Sequence, residues 1–270
     1  MHFNAYQRVC IALFIGLLIY WAVIFFGGLS SYQTNVLDLL YGLMALFAGV
    51  VAIKGAKVWG GISFDVGRAV SAIGFGLFLW GAGGMVWAYY NFFLGVNTPY
   101  PSLADFFYMP SLFFYSLGIV FLSKTMGAQM GLRTTLGKAF VVIAPILTLA
   151  VTYYVFFILG LRGVGDFQRQ GWLKSVLDVA YPLGDFFALT VSLVVSGLSF
   201  RYMGGGHKLD IKIIIGGLAL MFVADLVYSY TTNLTSYSGD IVDLFYITAV
   251  SFLAIGILGF NKLKSPQNSA

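Results

Sequence analysis

Residues 101–124 read PSLADFFYMPSLFFYSLGIVFLSK. About twenty mostly apolar residues separate Asp105, near one end, from Lys124 at the other. A helix rises ~1.5 Å per residue, so such a stretch crosses the ~30 Å hydrocarbon layer of a bilayer. Seven more stretches have this character, and the eight cover about 9–29, 36–54, 68–94, 102–123, 137–159, 173–200, 211–231 and 239–260. The chain has 270 residues, 60% hydrophobic and 9% charged, with a mean hydropathy of +0.90. A soluble domain of this size could not bury so much apolar surface. The expected fold is therefore an all-α integral membrane protein with eight transmembrane helices, a single polytopic domain over 1–270. The spans leave no room for a soluble catalytic domain. The first stretch lacks a small-residue cleavage site and reads as a retained helix, not a signal peptide.

The basic residues set the orientation. Arg8, Lys54, Lys57, Arg68, Lys124, Arg133, Lys138, Arg201, Lys208, Lys212, Lys262 and Lys264 fall on one side of the eight spans. Arg162, Arg169 and Lys174 fall on the other, all in the connection between the fifth and sixth spans. The positive-inside rule then predicts a multi-pass cell-membrane protein with both termini cytoplasmic, and an even number of spans agrees with that. The net charge of +5 reads as this topology signal and as attraction to anionic lipid headgroups, not as a nucleic-acid footprint. Cys10 is the only cysteine, so no intrachain disulfide forms. The two histidines, His2 and His207, sit near span ends and offer no metal or haem site. No cofactor is implied.

All ten acidic residues are Asp. Four of them lie in one pattern, at the start of each span that runs from outside to inside. These starts are Asn35-Val-Leu-Asp38-Leu-Leu-Tyr41, Ser102-Leu-Ala-Asp105-Phe-Phe-Tyr108, Ser175-Val-Leu-Asp178-Val-Ala-Tyr181 and Asp240-Ile-Val-Asp243-Leu-Phe-Tyr246. The aspartates are 67, 73 and 65 residues apart. The pattern predicts four tandem helical hairpins, about 9–54, 68–123, 137–200 and 211–260. Asn, Ser and Asp are good N-cap residues, and an acid three positions on resembles a capping box. The carboxylate also meets the positive end of the helix dipole. In lipid the first-turn amides have little water to turn to, which raises the value of such a cap. On this reading Asp38, Asp105, Asp178 and Asp243 start helices. The functional alternative is that these Asp–Tyr pairs line an outward-facing vestibule.

Two aspartates break the pattern. Asp185, in YPLGDFF, lies ten residues beyond Ser175, roughly 15 Å into its helix. Pro182 and Gly184 precede it and are expected to bend or open the helix. Asp225, in FVADLVYSY, lies eight residues before Asn233, roughly 12 Å from the outer surface. Lys174 and Lys212 lie at the span ends, and no Lys or Arg occurs deeper in either span to pair with these acids. An acid inside a membrane segment is a functional candidate by default. Its alternatives are a protonated Asp bonded between helices, a ligand or ion site, and proton transfer. Asp185, Asp225, Tyr228, Tyr181 and Asn91 are the candidate ligand or ion residues. The run MVWAYYNFF (85–93) reads mainly as an interfacial aromatic belt. GFGLFLWGAGG (74–84) reads as a surface for close helix approach. MGGGHK (203–208) lacks the strand and the Lys-Ser/Thr ending of a phosphate loop.

YPSLADFFYMPSLFFYSLGI (100–119), LDVAYPLGDFFALTVSLVVSGL (177–198), LMFVADLVYSYTTN (220–233) and DLFYITAVSFLAIGIL (243–258) resemble one known pattern. It is the multi-helix membrane domain that precedes GGDEF, EAL or histidine-kinase output domains in many prokaryotic signalling proteins. The resemblance spans about residues 70–260 and implies sensory input or membrane anchoring. No GGDEF, EAL or kinase motif is present, so signalling would pass through a separate cytoplasmic or membrane partner. The expected function is a non-enzymatic sensory or scaffolding protein that binds a small ligand, lipid or protein partner. The alternatives are a cation- or proton-coupled transporter using the intramembrane aspartates, and a structural subunit of a membrane complex. An intramembrane hydrolase or transferase finds no catalytic His, Cys or metal cluster to support it.

Overall fold

The computed structural model describes residues 3–28, 31–159, 171–199, 206–231 and 241–261. His2, Arg162, Arg169, Arg201, Asn233, Asp240, Lys262 and Lys264 lie outside the described residues. The described residues are mostly helical and include no strand, with eight long helices: α1 Ala5–Gly27, α2 Ser31–Gly55, α3 Asp65–Phe92, α4 Asp105–Thr125, α5 Thr135–Thr152, α6 Trp172–Ser199, α7 Lys208–Thr231 and α8 Ile241–Leu258. A π-helical turn, Tyr153–Leu159, prolongs α5. All eight helices are long and apolar enough to cross a bilayer. They define a multi-pass membrane protein.

Exposure follows the same logic. α3 and α8 are the most enclosed, while α1 and α5 keep most of their length on the outside. Ile15, Ile19, Leu136 and Ile146 are among the large apolar side chains that face outward. In water such a surface is a liability; against lipid tails it is the appropriate one.

Sequential helices α2–α3, α3–α4 and α7–α8 make the most extensive contacts, and α1 packs on both α8 and α2, so the first and last helices meet. The α2–α3 seam depends on missing side chains. A Cβ on Gly49 would stand 2.6 Å from the Phe78 amide nitrogen, and one on Gly81 2.7 Å from the Gly42 carbonyl oxygen. The glycine-rich run 74–84 therefore does what its sequence suggested and brings two backbones together.

Two caps differ from expectation. A complete capping box forms at α1, where Asn4 accepts from the Gln7 amide at 2.9 Å and Gln7 Oε1 accepts from the Asn4 amide at 3.1 Å. By contrast, α2 begins at Ser31 and α6 at Trp172, so Asn35 and Ser175 lie inside helices. The polar turns SYQTN and WLKS extend these helices beyond the apolar windows that locate them in the sequence. Asp38 and Asp178 are consequently interior helix residues, not helix starters. Ser175 directs its hydroxyl back to the Gly171 carbonyl, 3.2 Å away.

The end of the bundle that carries Lys54, Lys57, Arg68, Lys124 and Lys208 is tied by polar contacts. Asn4 Nδ2 donates to the Leu258 carbonyl at 2.7 Å, and Gln7 Nε2 donates to Asp210 Oδ1 at 3.0 Å and to the Ile255 carbonyl at 3.1 Å. His207 Nδ1 lies 2.9 Å from Asp210 Oδ2. Trp59 Nε1 donates to the Phe260 carbonyl at 2.7 Å. These contacts join α1, α7 and α8 to the chain that follows α2.

Candidate functional site

At the opposite, acidic end, carboxyls and tyrosines from α2, α4, α6, α7 and α8 form one network, in which α2, α4 and α8 pack on α3. The organising side chain is Trp80. Its ring lies 5.4 Å from that of Tyr41, 5.6 Å from Tyr108 and 6.2 Å from Tyr246. Three of the four Asp-x-x-Tyr sequences thus deliver their tyrosine to one indole. Separations of this size are those of interacting aromatic pairs. Two glycines on α3 make room for the rings. A Cβ on Gly83 would stand 2.7 Å from Tyr108 Cε1, and one on Gly76 2.6 Å from Tyr115 Cε1.

The acids of the cluster are enclosed. Asp38 is 7% exposed, Asp105 9%, Asp185 2% and Asp243 0%. Asp105 is the first residue of α4, and its Oδ2 accepts from the Ser102 amide at 2.6 Å and lies 3.2 Å from the Ser102 hydroxyl. These bonds tie Asp105 to the turn ahead of α4, whose N-cap is Ala104 and carries no side-chain cap bond, so they are not the capping box expected for this helix. The other oxygen of Asp105, Oδ1, accepts from the Tyr181 hydroxyl of α6 at 2.8 Å. Asp225 Oδ1 accepts from the Tyr246 hydroxyl of α8 at 2.6 Å. Asp185 lies within electrostatic reach of the same Tyr246, as does Tyr228, which is 37% exposed. Asp38 lies within hydrogen-bonding reach of the Asp243 carboxyl and of the Tyr41 hydroxyl one turn along its own helix.

Four of the five candidate ligand residues, Asp185, Asp225, Tyr181 and Tyr228, therefore belong to one cluster. Asn91 does not. Its amide donates to the Trp87 carbonyl at 2.9 Å and to Thr98 Oγ1 at 3.3 Å, closing the end of α3 on itself. Asp178 sits at the rim, where the Tyr100 hydroxyl donates to it at 2.8 Å. Two members of the cluster escaped the sequence reading, Trp80 and Tyr115. Trp80 lies inside the glycine-rich run, where packing alone explained the pattern. Tyr115 lies seven residues after Tyr108, on the same face of α4, and that spacing was the available signal.

Chemically, the cluster is rich in oxygen and poor in positive charge. No Lys or Arg occurs between residues 9 and 53, 69 and 123, 175 and 200, or 213 and 261. Among the described residues, no three His, Cys, Asp or Glu side chains group as a metal set. Among the described residues, Asp65 pairs with Arg68 and Lys124, and Asp210 with His207. A buried carboxyl group needs hydrogen bonds and a compensating charge or proton. The tyrosines supply the hydrogen bonds. A separate apolar groove of about 280 Å³ between α5 and α6 is lined by Leu136, Phe140, Ile143, Leu147 and Leu193, among others. It has the lining of an acyl-chain surface and no group to orient a polar ligand.

No family model, no curated protein and no solved structure matches this chain.

Proposed function

We propose that the chain is a non-enzymatic sensory protein of the cell membrane. Both termini face the cytoplasm, and the Asp–Tyr cluster lies in the outer half of the bilayer. The asymmetry of Lys and Arg supports this orientation. Four tandem hairpins, each contributing an Asp-x-x-Tyr sequence, supply the cluster. The observation that carries the reading is the pair of interhelical hydrogen bonds, Tyr181 to Asp105 and Tyr246 to Asp225. Each makes the packing of two helices depend on the state of a carboxyl group, buried at Asp105 and half-buried at Asp225. A change of state there has differential contacts with two arrangements of the bundle, which a ligand-driven shift requires. The basic end, where α1, α7 and α8 are tied, is the surface for a cytoplasmic or membrane signalling partner. Membrane lipids cover the apolar faces of α1 and α5.

Gentle purification from native membranes, followed by mass spectrometry of what stays bound, tests the reading. A stoichiometric signalling partner supports it. A bare protein that accumulates a solute in vesicles overturns it in favour of a proton- or cation-coupled transporter. The transporter is the second reading because Asp185 and Asp225 both lie within membrane spans that contain no Lys or Arg in their cores. Copurification within a stable, non-signalling assembly instead marks a structural subunit.

A further inference from the structure

We infer that Asp38 of α2 and Asp243 of α8 form a proton-binding site, the two carboxyls holding one proton between them. Both side chains are enclosed, at 7% and 0% exposure, and the two carboxyls lie within hydrogen-bonding reach of each other. Two carboxylates cannot both keep their charge at such a separation, whereas one acid and one carboxylate form a hydrogen bond. A second observation accords with that pairing. Asp38 Oδ1 is buried and receives no hydrogen bond. An oxygen in that condition is costly on a carboxylate and much less so as the carbonyl of a neutral acid.

The surroundings favour a proton over a metal ion. Among the described residues, the groups beside the pair include Tyr41, within electrostatic reach of both acids, and Tyr108 from α4, within reach of Asp38, while Tyr246, three residues after Asp243, shares Trp80 with them. Behind Tyr108 stands Asp105, held by Ser102 and Tyr181, and behind Tyr246 stand Asp225, Asp185 and Tyr228. From α1, Tyr20 donates to the Gln33 carbonyl at 3.3 Å. None of these groups is cationic, and none adds a third carboxylate to a metal set. A single proton needs two oxygens, and the pair supplies them. Because α2 and α8 belong to opposite ends of the chain, the shared proton closes the bundle where its first and last hairpins meet.

The inference deepens the sensory reading by naming its ligand, and rests on that reading only in treating the proton as a signal. Infrared spectroscopy of the full chain in lipid nanodiscs at neutral pH tests the site directly. The wild type should show the carbonyl band of a protonated carboxylic acid. Asp38→Asn and Asp243→Asn each leave one buried acid, which should keep the one-carboxyl band at a shifted position. The double variant should lose one carboxyl's intensity and no more, since one proton is shared. Absence of the band in the wild type overturns the site. So does a double variant whose band equals that of the wild type, or one that loses two carboxyls' intensity. Loss of the wild-type band when sodium replaces choline overturns it in favour of a metal cation. If the Asn variants fail to fold, Tyr41→Phe serves instead: removing a donor within reach of Asp38 should shift the band, and an unshifted band counts against the site. A retained band with no partner captured removes the sensor and leaves the proton. A captured partner with no band does the reverse.

Discussion

The Tyr181 hydroxyl of α6 donates to Asp105 Oδ1 of α4 at 2.8 Å, while Tyr100, just ahead of α4, donates to Asp178 of α6 at 2.8 Å. Two Asp-x-x-Tyr sequences, 73 residues apart, are thus crossed by hydrogen bonds running in both directions. Tyr181→Phe removes one of these bonds and leaves Asp105 its Ser102 contacts. Interhelical hydrogen bonds in membranes contribute about 0.6–2 kcal/mol. A loss of that size is expected in reversible unfolding from mixed micelles, and the double variant with Asp105→Asn should fall well short of the sum of the two single losses.

The glycines of α3 separate by what they face. Gly76→Ala and Gly83→Ala place a methyl group 2.6 and 2.7 Å from a tyrosine ring carbon, whereas Gly84→Ala meets nothing closer than 3.5 Å. Overpacking of this kind costs about 1–3 kcal/mol. Melting in micelles should therefore rank Gly84→Ala near the wild type and the other two clearly below it. Equal behaviour of all three would show that the rings shift freely.

Tyr115 offers a test with the opposite sign. Its side chain is fully buried and its hydroxyl makes no hydrogen bond, although it lies within electrostatic reach of Asp225. Removing an unsatisfied buried hydroxyl relieves a desolvation cost of about 1–3 kcal/mol. Tyr115→Phe should be neutral or stabilising on unfolding. Tyr246→Phe, which breaks a 2.6 Å bond to Asp225, should be destabilising by the same measure.

Asp185→Asn and Asp225→Asn keep side-chain shape, and the Asn at 225 still accepts from Tyr246. Both proteins should elute and melt close to the wild type, within about 1 kcal/mol. Their response should nevertheless be lost, read as partner capture under the sensory reading or as solute uptake in vesicles under the transport reading. Normal function in both variants would reduce these acids to packing elements.

Eight helices were legible because each span keeps its apolar character over enough residues to cross a bilayer. The starts of α2 and α6 were not, because their first turns are polar. The intramembrane acids Asp185 and Asp225 could be picked out by residue type and depth alone. Their partners could not: Tyr181 and Asp105 are 76 residues apart, and only the packing of α4 against α6 joins them. Asn91 stood out only as a polar residue in the aromatic run 85–93. Thr98 and the Trp87 carbonyl satisfy it locally, and nothing in one-dimensional spacing reveals that. Trp80 was hidden in the opposite way, since its glycine neighbours already had a sufficient explanation in helix packing.

Under the sensory reading, the state of the acidic cluster sets the arrangement of the basic end. Spin labels at Lys57→Cys and Lys212→Cys, both exposed at that end, report it by pulsed electron–electron distance measurement in nanodiscs, in a Cys10→Ala background. The distance distribution should differ between the otherwise unmodified chain and the chain carrying Asp243→Asn. Superimposable distributions, with both proteins folded, would contradict the coupling.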